Sequence, residues 1–264
     1  MSSDKLAVQM YTVREFLKNE RDLAESLAKI SAIGYPAVQL SAVAAMNGDN
    51  PEVSVTQAKK MLDDNGLKCI ATHRGWDNLA QRTDEEIDFH RTLECDFVAI
   101  GGVPQSYAGK GAEGYEQFAH DAVPVLEKLK AAGIRFGYHN HAHEFERVGS
   151  GRRSLYDILL EQGGPNMLME IDIYWVQHAG LDPVRVVERC HGRMPVIHLK
   201  DKEVANREPV MAPIGEGNLD WERILPACAT AGVEWYAVEQ DNYRRDPFDC
   251  LKSSFEFLSA QKEK

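Results

Sequence analysis

Little in this sequence points to a membrane, a secretion route or a nucleic acid. No apolar run approaches the roughly 20 residues that span a bilayer. The opening stretch MSSDKLAVQMYTVREF has neither the apolar core nor the cleavage site of a signal peptide, so no secretion signal is expected. No basic stripe is present, and the net charge is −11, the reverse of what a phosphate-backbone binder carries. Cysteines are few and scattered: Cys69, Cys95, Cys190, Cys228 and Cys250 are odd in number and contain no CxxC pair. They read as reduced thiols in a cytoplasmic protein. No glycine stands in the first turn, QMYTVRE, where a dinucleotide-binding fold needs several. No linker or low-complexity segment divides the 264 residues.

What remains is a chain with 44% apolar residues and a repeated pattern. Eight short β-rich runs recur: 6–10, 37–41, 68–72, 97–101, 135–140, 167–172, 195–200 and 235–240. Most are apolar on both faces, as strands of a covered parallel sheet must be. Between them lie amphipathic stretches that stop at Gly34, Gly66, Gly133 and Gly232, a glycine just past the last periodic residue being a helix C-cap signal. Strand, helix, glycine, strand, at a period of about 30 residues, predicts a single (β/α)8 TIM barrel over residues 1–264. The stretch 202–218 is read as the longest inserted loop.

Function in such a barrel gathers at the C-terminal ends of the strands. The runs end in Gln9 and Tyr11, Gln39 and Ser41, His73 and Arg74, and Gly101 and Gly102. The later four end in His139, Asn140 and His141; Glu170 and Asp172; His198 and Lys200; and Glu239 and Asp241. Each of those four therefore carries a metal-competent side chain. The segment GYHNHAHEF (137–145) sets His139, His141 and His143 at alternate positions, with Glu144 behind them. On an extended segment alternate residues share a face, so these imidazoles are expected at the mouth of the barrel. Parity also turns Glu170 inward with Asp172, and puts Lys200 where it can pair with Asp172 or Glu239. Read singly, Asp172 fits a helix cap, His198 a buried hydrogen-bonded histidine, and Glu239 an ion pair with Arg244. Their occurrence on consecutive strands favours a shared site.

The ordered motifs YHNHxHEF, EIDIYWV, VIHLKD, IGEGNLDW and VEQD resemble the xylose isomerase-like TIM-barrel superfamily, and within it the sugar phosphate isomerase/epimerase group. The resemblance runs from VQMYTVRE to AVEQD. It implies one divalent metal ion, Mn²⁺ foremost, with Co²⁺, Mg²⁺ or Zn²⁺ as alternatives, held by Asp172, His198 and Glu239. The first ligand departs from the family pattern, because His139 stands where a glutamate is usual. Either Glu144 folds back to the ion or His139 takes the position; Glu144 preserves the carboxylate and is preferred. The implied reaction is isomerisation or epimerisation of a sugar or sugar phosphate, by proton abstraction next to a carbonyl through a metal-stabilised enediolate. Glu144, Glu239, His139 and His141 are the candidate acids and bases; His73, Trp175, Lys200, Asn140 and Arg74 are the candidate substrate contacts. The histidine-rich fifth run also suits the superfamily's lyases and dehydratases, which perform β-elimination on a keto-sugar, keto-inositol or 3-keto-glycoside. A non-catalytic sugar-binding subunit is a third reading. The barrel's nucleases place a histidine three residues after the strand-six aspartate; here that residue is Trp175, which argues against DNA. The expected partner is a small carbohydrate, with no nucleic acid or membrane, and the resemblance admits a homodimer.

Overall fold

All eight apolar runs become parallel strands. In the computed structural model, which describes residues 2–261, these are β1 (Leu6–Gln9), β2 (Ala37–Leu40), β3 (Lys68–His73), β4 (Phe97–Ile100), β5 (Arg135–His139), β6 (Met167–Asp172) and β7 (Val196–Leu199), closed by β10 (Trp235–Val238). They form a closed barrel in the order β1-β10-β7-β6-β5-β4-β3-β2, flanked by helices: a (β/α)8 barrel. The segment expected as a plain loop holds more structure. There, β8 (Asp201–Ala205) and β9 (Glu208–Ala212) pair as an antiparallel hairpin beyond the barrel. Alternation in KEVA and EPVMA is too short to separate from loop sequence without the cross-strand partner.

The helix stops fall where the glycines predict. Gly34 ends the helix Glu20–Ile33 with φ of +117°, and Gly133 follows the helix Ala112–Ala131 with φ of +83°. Side chains carrying a Cβ are disfavoured in that left-handed region. The first connection carries a 3-10 stretch, Met10–Phe16, ahead of the helix Glu20–Ile33.

Each strand divides its side chains between two cores. Outward residues such as Val8, Val38, Tyr138, Ile171 and Val238 join the large cluster under the helices. Inward residues form a smaller one: Ala7, Ala37, Ile70, Ala71, Phe97, Ala99, Val196 and Ala237. Most inward positions are small because one large ring fills the centre. At Gly137 on β5, a Cβ would lie 2.3 Å from the Phe97 ring. This apolar plug is the floor on which the polar residues at the strand ends stand. All five cysteines are buried and unpaired. Among the described residues no helix is long and apolar enough to cross a membrane.

Candidate metal centre and active site

The polar residues on the plug form two layers, one strand pleat apart. Glu170 lies beside His139 in the β5–β6 register, and Asp172 lies beside His198 in the β6–β7 register. Two residues along a strand is about 7 Å, so Asp172 belongs to the upper layer and Glu170 to the lower. All four side chains are buried.

In the upper layer, ligand atoms of His139, Asp172, His198 and Glu239 all lie within 4.8 Å of one another. His198 Nδ1 is 3.0 Å from Glu239 Oε2. Lys200, inward and buried, is 2.9 Å from Asp172 Oδ2, Glu239 Oε2 and Asp241 Oδ1 alike. Asp172 also caps the short helix Ile173–His178, its Oδ1 accepting from the Trp175 amide at 3.1 Å. Its Oδ2 has the Lys200 ammonium as its ion-pair partner, without aligned hydrogen-bond geometry, and His139 Nδ1 makes no hydrogen bond, lying 3.5 Å from Glu170 Oε2. Buried polar atoms normally have hydrogen-bond partners, so the unbonded His139 Nδ1 among these carboxylates fits a site for an electron-pair acceptor.

Charge supports the same reading. Burial raises Asp172 to about 6, Lys200 opposing and Glu239 adding to the rise. Burial would raise Glu239 too, but Lys200 and His198 hold it well below the usual carboxylate range. Burial would lower His198, yet Glu170 and Glu239 carry it up to about 10. His139 stays neutral, pushed well below its ordinary value by burial and then by the charge on His198. Carboxylates crowded with one lysine and one imidazolium form a set a divalent cation fits. An N/O donor mixture suits Mn²⁺, Co²⁺ or Zn²⁺ over Ca²⁺.

The lower layer centres on Glu170. Its Oε2 is 2.5 Å from His73 Nε2, 3.2 Å from His198 Nε2 and 3.5 Å from His139 Nδ1. Its Oε1 accepts from Gln39 Nε2 at 2.7 Å. The sequence placed Glu170 inside by parity but gave it no role, and Gln39 appeared only as a strand end. The signal for both is inward parity on β2 and β6.

Other candidates fall outside this cluster. Glu144 is fully buried but turned aside: Tyr138 Oη donates to Oε1 at 2.7 Å, the His141 amide to Oε2 at 2.8 Å, and His143 Nε2 is 3.0 Å away. A 3-10 turn over His143–Phe145 directs it there. The expectation that Glu144 joins Asp172, His198 and Glu239 is therefore not met; His139 stands in that group instead. Glu144 groups with His141 and His143 in a separate set at the rim. Burial opposes its charge, but contact with His143, Tyr138 and the His141 amide holds its pKa down.

Asn140 is held by backbone, accepting from the Asp172 amide at 3.0 Å and donating to the His141 carbonyl at 3.3 Å. It ties two strand ends together. Arg74 is clamped by Glu86 at 2.7 and 2.6 Å and lies 4.4 Å over the Phe89 ring. Arg244 pairs with Glu203, not with Glu239. Trp175 sits at the mouth, 5.4 Å from the His141 ring and 5.7 Å from Lys200 Nζ. Trp76 packs edge-on against Phe118 and Phe136 in the core.

Fold and site together define a barrel with a metal-competent group at the C-terminal ends of strands β5, β6, β7 and β10. The family model described as xylose isomerase-like TIM barrel matches residues 27–261, and the chain belongs to that family. No curated protein gives a significant match. Among solved structures, it resembles a sugar phosphate isomerase/epimerase from Parabacteroides distasonis with a TM-score of 0.81, at 21% identity over 98% of this chain and 95% of that one. It also resembles a probable 3-DHS dehydratase from Bacillus anthracis, with a TM-score of 0.73, at 14% identity over 98% of this chain and 100% of that one. A third is the IOLI protein with a bound zinc atom, with a TM-score of 0.68, at 14% identity over 96% of both chains.

Proposed function

We propose that this chain is a divalent-metal-dependent enzyme that removes the proton beside the carbonyl of a small carbohydrate, as a sugar or sugar phosphate isomerase or epimerase. The observation that carries the reading is the convergence of His139, Asp172, His198 and Glu239, with His139 Nδ1 left without a hydrogen bond, beside the His141 imidazole whose pKa burial lowers. Those four residues would hold the metal. When bound, a divalent cation supplies a Lewis acid that polarises a carbonyl and its neighbouring hydroxyl.

The chain's own groups supply the rest. His141 is half-buried at the rim; burial lowers its pKa, and its Nδ1 has no partner. It therefore meets substrate as a free base, as proton abstraction near neutral pH requires. Lys200, held cationic by three carboxylates, steadies Asp172 and Glu239 and offsets negative charge that develops beside them. Trp175 and His73 wall the mouth and orient the sugar.

A second reading, β-elimination from a keto-sugar, keto-inositol or 3-keto-glycoside, is favoured by one specific observation. Epimerisation calls for a second base facing the first across the sugar, and Glu144 is turned away toward Tyr138. An elimination needs only one base, such as His141 or His139, and a leaving group on the β-carbon.

Metal analysis of the wild type and the Glu239→Gln variant, then incubation of candidate ketoses and 3-keto-glycosides in D₂O with NMR detection, tests both readings. The expected result is one metal per chain, lost in the variant. Deuterium next to the carbonyl with every substituent retained supports the isomerase or epimerase. Loss of a β-substituent moves the assignment to the lyase. A protein that takes up no metal and exchanges no proton is not this enzyme.

A further inference from the structure

The lower layer fixes which face of His198 is presented to the layer above. Gln39 on β2 lies between Glu170 and His198, and its amide has only one workable orientation. Its nitrogen is 2.7 Å from Glu170 Oε1 and its oxygen 2.8 Å from His198 Nε2. Turning the amide over would set a carbonyl oxygen against a carboxylate oxygen at hydrogen-bond distance, with no proton between them. The nearest atoms to His198 Nε2 are therefore two acceptors, Gln39 Oε1 and Glu170 Oε2 at 3.2 Å. That ring nitrogen must carry a proton. The other, Nδ1, faces Glu239 and the upper group, and its proton is the one a bound metal ion would displace.

We propose that Gln39 and Glu170 are a positioning pair that locks His198 as the Nε2–H tautomer, so that Nδ1 is the metal ligand. The inference rests on the metal reading above. Glu170 serves here as the anchor, with Gln39 on Oε1 and the His73 and His198 rings on Oε2; were it instead to ligate together with His73, His139 and His198, the other group whose ligand atoms converge, the metal would sit on His198 Nε2. All three side chains of the chain Glu170–Gln39–His198 are at most 1% exposed, so water does not compete for these bonds. Gln39 and His198 stand 159 residues apart and Gln39 and Glu170 131, so the barrel must close before the relay exists. The same carboxylate bonds the Nε2–H of His73 at 2.5 Å, fixing that ring at the mouth as well. Partners of this kind orient a ligating imidazole, and losing one typically costs 10–100-fold in metal affinity.

The first test needs no substitution. Zinc-loaded protein with nitrogen-15-labelled histidine is expected to show His198 with a proton on Nε2 and zinc on Nδ1. Zinc found on Nε2, with Nδ1 protonated, overturns the inference. The second test is Gln39→Leu, which keeps the volume and removes the amide. Its zinc dissociation constant, from chelator competition, is expected to rise 10–100-fold over wild type, with tautomer signals no longer in one form. Unchanged affinity with an unchanged tautomer overturns the inference while leaving the metal reading intact. A wild-type protein that binds no zinc, manganese or cobalt strikes the metal reading, and this inference falls with it. If Gln39→Leu does not fold, the spectrum of the unaltered protein decides alone.

Discussion

His90 shows how a single buried side chain ties structure to pH. It is wholly buried, with Nδ1 2.6 Å from the Glu86 carbonyl and Nε2 2.7 Å from Thr72 Oγ1. The carbonyl can only accept, so Nδ1 carries the proton and Nε2 accepts from the threonine. Burial lowers its pKa below the ordinary 6.5. Above pH 6.5 the imidazole is neutral in both folded and unfolded chain, and its contribution is complete. As pH falls from 6.5 through the folded value, the unfolded chain takes up a proton that the native state refuses. Stability then drops by at most about 1.4 kcal/mol per pH unit. Urea unfolding of wild type and His90→Gln at pH 7.5, 6.5 and 5.5 should show the gap between them narrowing on the acid side. Parallel curves would show that His90 does not titrate in this way. The same scale marks the limit of reading the sequence. Parity was enough to turn Asp172, His198, Lys200 and Glu170 inward, because an extended strand has a fixed period. It did not reach Glu144, five residues past His139 and preferred only on the family's ligand pattern, because a 3-10 turn has no such period and Tyr138 offers its carboxylate a partner.

At the level of elements, the motif IGEGNLDW has a structural reason. Asp201, buried at the start of β8, accepts from the amides of Lys202, Gly215, Gly217 and Leu219 and from the Trp221 indole, at 2.7, 2.9, 3.2, 3.3 and 2.7 Å. Gly217 is required because a Cβ there would lie 2.2 Å from Asp201 Oδ1. One carboxylate therefore fastens the segment 215–221 to the foot of the hairpin. Bonds to a charged group contribute about 1.5–3 kcal/mol each and are not additive. Asp201→Ala should lower stability by at least about 3 kcal/mol and raise hydrogen exchange at Gly215, Gly217 and Leu219 first. Uniform loss of protection across the barrel would argue against a local knot. The sequence showed the motif but not its centre, since nothing in LKD distinguishes Asp201 as an acceptor. The eight strands and the glycine stops were legible because burial on both faces and a left-handed turn each leave a local mark. The hairpin left none.

For the whole molecule, the barrel closes around a cluster of buried carboxylates, in which Asp172 and Asp241 are raised above their ordinary range by burial and by Glu239. Glu170, Asp172, Glu239 and Asp241 crowd against Lys200 and His198, and on the proposed reading a cation bound only by the native state would stabilise it. At 100 times its dissociation constant a metal adds about 2.7 kcal/mol. For a chain near this length that raises Tm by roughly 5–11 °C. Thermal unfolding with saturating manganese, cobalt or zinc, against a chelator control, checks this, and Glu239→Gln should show little of the gain. Equal transitions with and without metal in the wild type would contradict it.

The plug below the site decides from which side the site can be reached. Phe97, packed against Gly137 and ringed by alanines, shuts the barrel from beneath. On the proposed reading, substrate and products would pass at the rim, by Trp175 and His141. Were a sugar bound there, it would be its own stopper: a proton taken from one carbon would have a shorter way back to that sugar than out to bulk solvent.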